Sequence, residues 1–279
     1  MKRLFVFLIL TTLFNSCGLL RKSDKIVEIN LFKWKYKHNE QITIGIIGNS
    51  IGCGYRADNT FPCKESNNKG GVLGQFDLDN DGRLKEDGQY DPLVRGWSFQ
   101  LNDYIKKKNK NNCIQNMSAS GWDMRHHIAD NTIQKIALRI PKPNIILIPL
   151  QINDSKLSIE EYIKNLELFV KQIRSFNMIP VLVKENSIDS IDVFGIKGIN
   201  TFTKKTPERK NFYLIMNSID SIAKSEHIGI VDFYSPTQKI IARTTIGNAN
   251  TSGILWDYLH PNQAGHDLMF SIIKKWIKN

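Results

Sequence analysis

Two features of the chain predict an α/β fold of three layers, with a five-stranded, mainly parallel sheet in the middle. Short apolar, β-rich runs recur along the sequence, and stretches of helical periodicity separate them. Strands alternating with helices bury a parallel sheet between two helical layers. The composition, 41% hydrophobic and 23% charged over 279 residues, is that of a globular protein with one sizeable core.

The N-terminus reads as a targeting segment. Lys2-Arg3 is followed by the apolar run Leu4 to Leu13, too short for a comfortable transmembrane helix. Phe14-Asn15-Ser16-Cys17-Gly18 resembles a bacterial lipobox with Cys17 as the lipidated residue, although Phe14 and Asn15 are unusual there. The plainer alternative is a secretory signal with an incidental cysteine. Either reading exports the protein. The domains expected are a signal at 1–17, a polar tether at 18–40 and one folded domain at 41–279.

Residues 42–48 read as a buried first strand, and residues 53–95 as a long Gly-, Asn- and Asp-rich insertion. A helix is expected over 96–108, where Trp97, Leu101, Tyr104 and Ile105 share helical spacing. Strands follow at 113–117, at 144–150 and, after a helix over 158–176, at 178–183. Ser158-Ile-Glu-Glu161 has the shape of a capping box. A helix at 207–226, a fifth strand at 228–233 and a closing helix at 262–277 complete the pattern.

The net charge of +11 admits anionic partners, but no nucleic-acid reading motif accompanies it. Lysines such as Lys33, Lys35, Lys37 and Lys106 to Lys108 read mainly as solvated faces, so no nucleic-acid partner is expected. In an oxidising compartment Cys53, Cys63 and Cys113 allow one bridge and one leftover thiol. Cys53–Cys63 is the favoured pairing.

Asp257-Tyr-Leu-His260 places a carboxylate where it can accept the Nδ1 proton of the same imidazole, leaving Nε2 as a general base. Gly48-Asn49-Ser50-Ile51-Gly52 follows the first strand directly, and its glycines permit a tight turn that exposes a serine hydroxyl. Ser118-Ala119-Ser120-Gly121 follows the second strand, and Gln151-Ile152-Asn153-Asp154 follows the third. These four blocks, in this order and each at a strand end, resemble those of the SGNH (GDSL-type) hydrolases. Asn49 stands where that family usually has Asp, and Gln151 where it usually has Gly. The resemblance implies a flavodoxin-like fold and a Ser50-His260-Asp257 triad. It also implies an oxyanion hole made by the N–H groups of Ser50 and Gly121 and the Asn153 amide, and no cofactor for catalysis. His126-His127 is a weak metal pair, because adjacent residues do not share a helix face.

Asp77-Leu-Asp79-Asn-Asp81-Gly82-Arg83 matches the first half of a calcium loop. Position 12 is Gly88, so the bidentate ligand comes from Asp87 or Glu86, or is missing. An acidic turn without metal is the alternative. The function expected is an exported, lipid-anchored serine esterase acting on small esters, above all O-acetyl groups on carbohydrate, with calcium in a structural role. A lipid esterase or thioesterase, or a non-catalytic glycan-binding protein on the same scaffold, is the alternative.

Overall fold

The structure is a computed structural model that describes residues 28–53, 95–119, 121–188, 207–243, 253–255 and 259–279. Five strands form one sheet in the order β2-β1-β3-β4-β5, and every neighbouring pair is parallel. They are β1 (Thr43–Ile46), β2 (Cys113–Asn116), β3 (Ile145–Ile148), β4 (Ile179–Lys184) and β5 (Gly229–Asp232). β1 to β3 are buried at every position, as a sheet covered on both faces requires.

The connections fix where a site can lie. The chain moves from β1 outward to β2 through α3 (Trp97–Lys108), then reverses across the sheet. α4 (Met124–Ala129), α5 (Thr132–Ala137), α6 (Ile159–Ser175) and α7 (Pro207–Glu226) cover the opposite face, where α6 packs on α7. α8 (Tyr234–Arg243) follows β5, and α9 (Gln263–Lys278) packs beside α3. Right-handed crossovers in opposite directions leave a crevice at the carboxyl ends of β1 and β3, the topological switch point.

Helix starts follow the sequence signals. Ser158 and Glu161 form the expected reciprocal box at α6, with Ser158 Oγ accepting from Glu161 N and Glu161 accepting from Ser158 N. Asn262 caps α9 by accepting from Gly265 N.

Two expectations change. Residues 28–37 do not form a tether: they fold as a helix, α1. Its Phe32 and Tyr36 are buried in the main core, so the domain starts before the first strand. The i, i+4 spacing of these two aromatics was the missed signal. Cys113 is disulfide-bonded. It is therefore not the leftover thiol that the favoured pairing implied, and its partner's sulfur lies outside the described residues. Cys17, Cys63 and the acidic loop with Asp77, Asp79, Asp81, Arg83 and Asp87 also lie outside them.

Candidate active site

Ser50 opens α2, a single turn (Ser50–Cys53) set directly after β1. Two glycines are needed there for space. A Cβ on Gly48 would come within 2.5 Å of Pro149 Cγ, and one on Gly52 within 2.5 Å of Ser118 Oγ. The turn is pinned through its carbonyls. Gly48 O accepts from Ala119 N at 2.9 Å and from His127 Nε2 at 2.9 Å. Ile51 O accepts from the Trp97 indole at 3.1 Å, and Gly52 O from the Asn116 amide at 2.8 Å. Asn49 Oδ1 accepts from Ile51 N. These bonds orient Ser50 before any substrate arrives.

His260 reaches the serine from the far end of the sequence: its Nε2 is 3.1 Å from Ser50 Oγ. This is the nucleophile–base geometry that general-base activation requires. The expected third member, Asp257, lies outside the described residues, as does Ser120.

The other two blocks meet at the same crevice. Gly121 has φ +78°, a left-handed conformation that favours glycine, and a Cβ there would meet nothing within 4 Å. Asn153 Nδ2 donates to Trp122 O at 2.9 Å, which joins the turn after β2 to the turn after β3. The amide nitrogen has two hydrogens, and this bond uses one.

Sequence reasoning missed Glu185, at the end of β4. Its Oε2 accepts from the backbone N–H of Gln151 at 2.8 Å and of Ile152 at 2.7 Å. Glu185 N in turn donates to Gln151 Oε1 at 2.9 Å. Gln151, in the glycine position of the resembled block, is thus half of a clamp that fixes the backbone just before Asn153. Burial pushes the Glu185 carboxyl up to about 7, against the pull of those two donors. The Asn49 amide also favours the carboxylate, although the pair falls short of full hydrogen-bond geometry. Asp154, on the other side of Asn153, is fully buried and accepts from Met124 N at 3.0 Å. Burial raises its carboxyl well above the usual range, and the like charge of Glu185 adds to that. No spacing rule in a single sequence points from Glu185 to Asn153, because the two follow different strands.

The two adjacent histidines do separate things. His127 is buried, lowered to about 4 by desolvation, and takes Gly48 O with Nε2. A neutral ring with the proton on Nε2 fits this carbonyl. His126 Nδ1 lies 2.7 Å from Asp123 Oδ1 at the half-exposed start of α4. Among the described residues no cluster of three or more metal-ligating side chains occurs. His266 is fully buried, and its Nδ1 accepts from Trp97 N at 3.4 Å.

The GDSL-like lipase/acylhydrolase family matches residues 44–273. No curated protein matches the chain. Among solved structures, the acetylxylan esterase Axe2 from Geobacillus stearothermophilus aligns at TM-score 0.57 and 16% identity, over 85% of this chain and 94% of its own. LAE5, an α/β hydrolase from the metagenome of Lake Arreo, aligns at TM-score 0.57 and 17% identity, over 86% and 99%. A member of the lipolytic G-D-S-L family from Veillonella parvula aligns at TM-score 0.54 and 17% identity, over 84% and 97%. At these identities the structural likeness speaks for the fold, which is the one expected, and the family match speaks for the chemistry. The chain is an ester hydrolase of the GDSL-like lipase/acylhydrolase family.

Proposed function

We propose that the protein removes small acyl groups, above all O-acetyl groups on carbohydrate, through a Ser50-His260-Asp257 triad. The observation that carries this reading is the 3.1 Å approach of His260 Nε2 to Ser50 Oγ at the switch point. Ser50 Oγ attacks the ester carbonyl carbon while His260 Nε2 takes the hydroxyl proton. Asp257 orients the imidazole and stabilises its charged form. The tetrahedral oxyanion accepts hydrogen bonds from the N–H groups of Ser50 and Gly121 and from Asn153 Nδ2. Collapse expels the alcohol, which takes the proton from His260 and leaves an acyl-serine. Water repeats the sequence and releases the acid. No step requires a metal or a cofactor.

One structural neighbour, seen as wild type and as a variant, bears on the substrate. Axe2 is described as an acetylxylan esterase and, in a variant structure, as an acetyl-xylooligosaccharide esterase. Such a substrate suits an exported protein held at a membrane through Cys17. A structural calcium ion bound by Asp77, Asp79, Asp81, Arg83 and Asp87 belongs to the same proposal, and titration calorimetry tests it: no heat with calcium removes the site.

Hydrolysis of p-nitrophenyl acetate and of acetylated xylo-oligosaccharides is the test of the reaction. Wild type is expected to release acetate from both, and Ser50→Ala and His260→Ala to lose at least a thousandfold in kcat. Equal turnover by wild type and both variants would remove the triad. Faster turnover of long-chain lipid esters than of acetyl esters would favour the lipid-esterase alternative.

A further inference from the structure

The edge of the sheet opposite Ser50 carries a combination of groups that ester hydrolysis does not use. α1 lies across the amino ends of the strands. Its Ile29 faces Gly229 at the start of β5, Lys33 lies 4.5 Å over the Trp276 ring, and Tyr36 meets Tyr104 near the end of α3. While Phe32 and Tyr36 turn inward, Leu31 and Trp34 turn outward at 50% and 47% exposure. The segment after α5 adds Leu138 and Ile140, exposed by 72% and 69%. A cleft of about 660 Å³ joins the two segments, with Leu31, Lys35, Lys142 and Arg174 among its lining residues.

This edge is also basic. In a parallel α/β fold each crossover helix runs back toward the amino ends of the strands, so the last turns gather there. α3 ends in Lys106, Lys107 and Lys108, α6 has Arg174 in its last turn, α7 has Lys224, and α9 has Lys275 and Lys278. Complementing the helix dipoles accounts for cations at these ends. It also accounts for Lys142, whose Nζ donates to Phe176 O at the end of α6 at 3.1 Å, but not for Lys35, nor for four large apolar side chains held in water on the same edge. Glu28 and Glu226 also lie on this edge, where Glu226 approaches Arg174 at 3.7 Å. Cations far apart in the sequence are thus brought to one edge by the topology.

We infer that this amino-terminal edge docks on an anionic phospholipid bilayer, with Trp34, Leu31, Leu138 and Ile140 entering the interface and Lys35 and Lys142 meeting lipid phosphates. Interfacial binding combines buried apolar area with attraction to anionic lipid in this way. The inference rests on the proposed export and anchoring at Cys17 for the identity of the membrane. The geometry agrees with that anchor, because residues 18–27 are ten in number and reach at most about 35 Å from Cys17 to α1. Docked on this edge, the protein presents the carboxyl ends of the strands, with Ser50 and His260, to the aqueous side. Esters in soluble or wall-bound glycan then have access, and lipids of the same bilayer do not.

Tryptophan quenching in the full chain tests the inference, using vesicles of phosphatidylethanolamine and phosphatidylglycerol with brominated acyl chains. The emission that distinguishes wild type from Trp34→Phe is expected to fall by more than half. The fraction quenched should shrink at least about threefold in Lys35→Glu/Lys142→Glu and on phosphatidylcholine vesicles. Trp34 emission untouched by brominated lipid overturns the inference, whether or not the protein sediments with the vesicles. Equal quenching on phosphatidylcholine overturns its electrostatic part. Hydrolysis of p-nitrophenyl acetate in solution is a separate readout, so docking can fail while the esterase reading stands.

Discussion

Replacing Glu185 by Gln tests the clamp behind Asn153 through the pH dependence of stability. The carboxyl is buried and sits at about 7 in the folded chain, against an ordinary 4.5. A raised folded value means that the folded state holds the proton more tightly than the unfolded state. The associated stability is therefore complete below 4.5 and is lost as pH rises through 7. A lift of this size corresponds to roughly 3 kcal/mol. Asp154 is shifted in the same direction nearby, in part by the Glu185 charge, so the difference between wild type and variant reports Glu185 together with its coupling to Asp154. Urea melts from pH 4.5 to 8 are the assay. The stability of wild type relative to Glu185→Gln should fall by about 3 kcal/mol across that range. A difference that stays flat with pH would refute a buried, titrating Glu185. Gln keeps an oxygen that can accept from both Gln151 N and Ile152 N, so kcat should stay within about tenfold of wild type. Glu185→Leu leaves both donors unpaired in the interior and should cost about 1–3 kcal/mol for each.

Three further outcomes follow from the same geometry. Asn153→Ala removes one oxyanion donor and should lower kcat on p-nitrophenyl acetate by about 10²–10³-fold with KM little changed; loss within threefold would remove Asn153 from the oxyanion hole. In Gly52→Ala the new Cβ meets Ser118 Oγ at 2.5 Å and Pro149 Cγ at 3.0 Å, so the turn must move. Urea melts should show a loss of about 1–3 kcal/mol, and acetate release should slow at least tenfold. His127 and His266 are both lowered to about 4 by burial, so their contribution is present above 6.5 and lost as pH falls toward 4. His266→Gln should remove roughly half of that acid-side loss in urea melts, and an unchanged acid limb would place His266 in solvent.

The strands and the main helices were legible because their signals are local. Ile145 to Ile148 is a continuous apolar run, and Ser158 with Glu161 announces a helix start within four residues. Ser50 and His260 were legible for a different reason: their blocks stand at strand ends in a fixed order, and the fold closes the distance. α1 was not, because its Lys-rich outer face masked the inward pair Phe32 and Tyr36. Glu185 and His127 were invisible for a deeper reason. Each acts on a backbone group of another segment, Gln151 N and Ile152 N or Gly48 O, and no side-chain pattern marks a backbone partner. The gathering of charge at one edge was not legible for a related reason, since lysines scattered along the chain converge only when parallel crossovers bring the helix ends together.

Fluorophosphonate labelling followed by peptide mass spectrometry tests the central claim most directly. A single adduct on Ser50 is expected in wild type, none in Ser50→Ala, and one formed at least a hundredfold more slowly in His260→Ala. Labelling of another serine, or equal labelling of wild type and Ser50→Ala, would contradict Ser50 as the nucleophile.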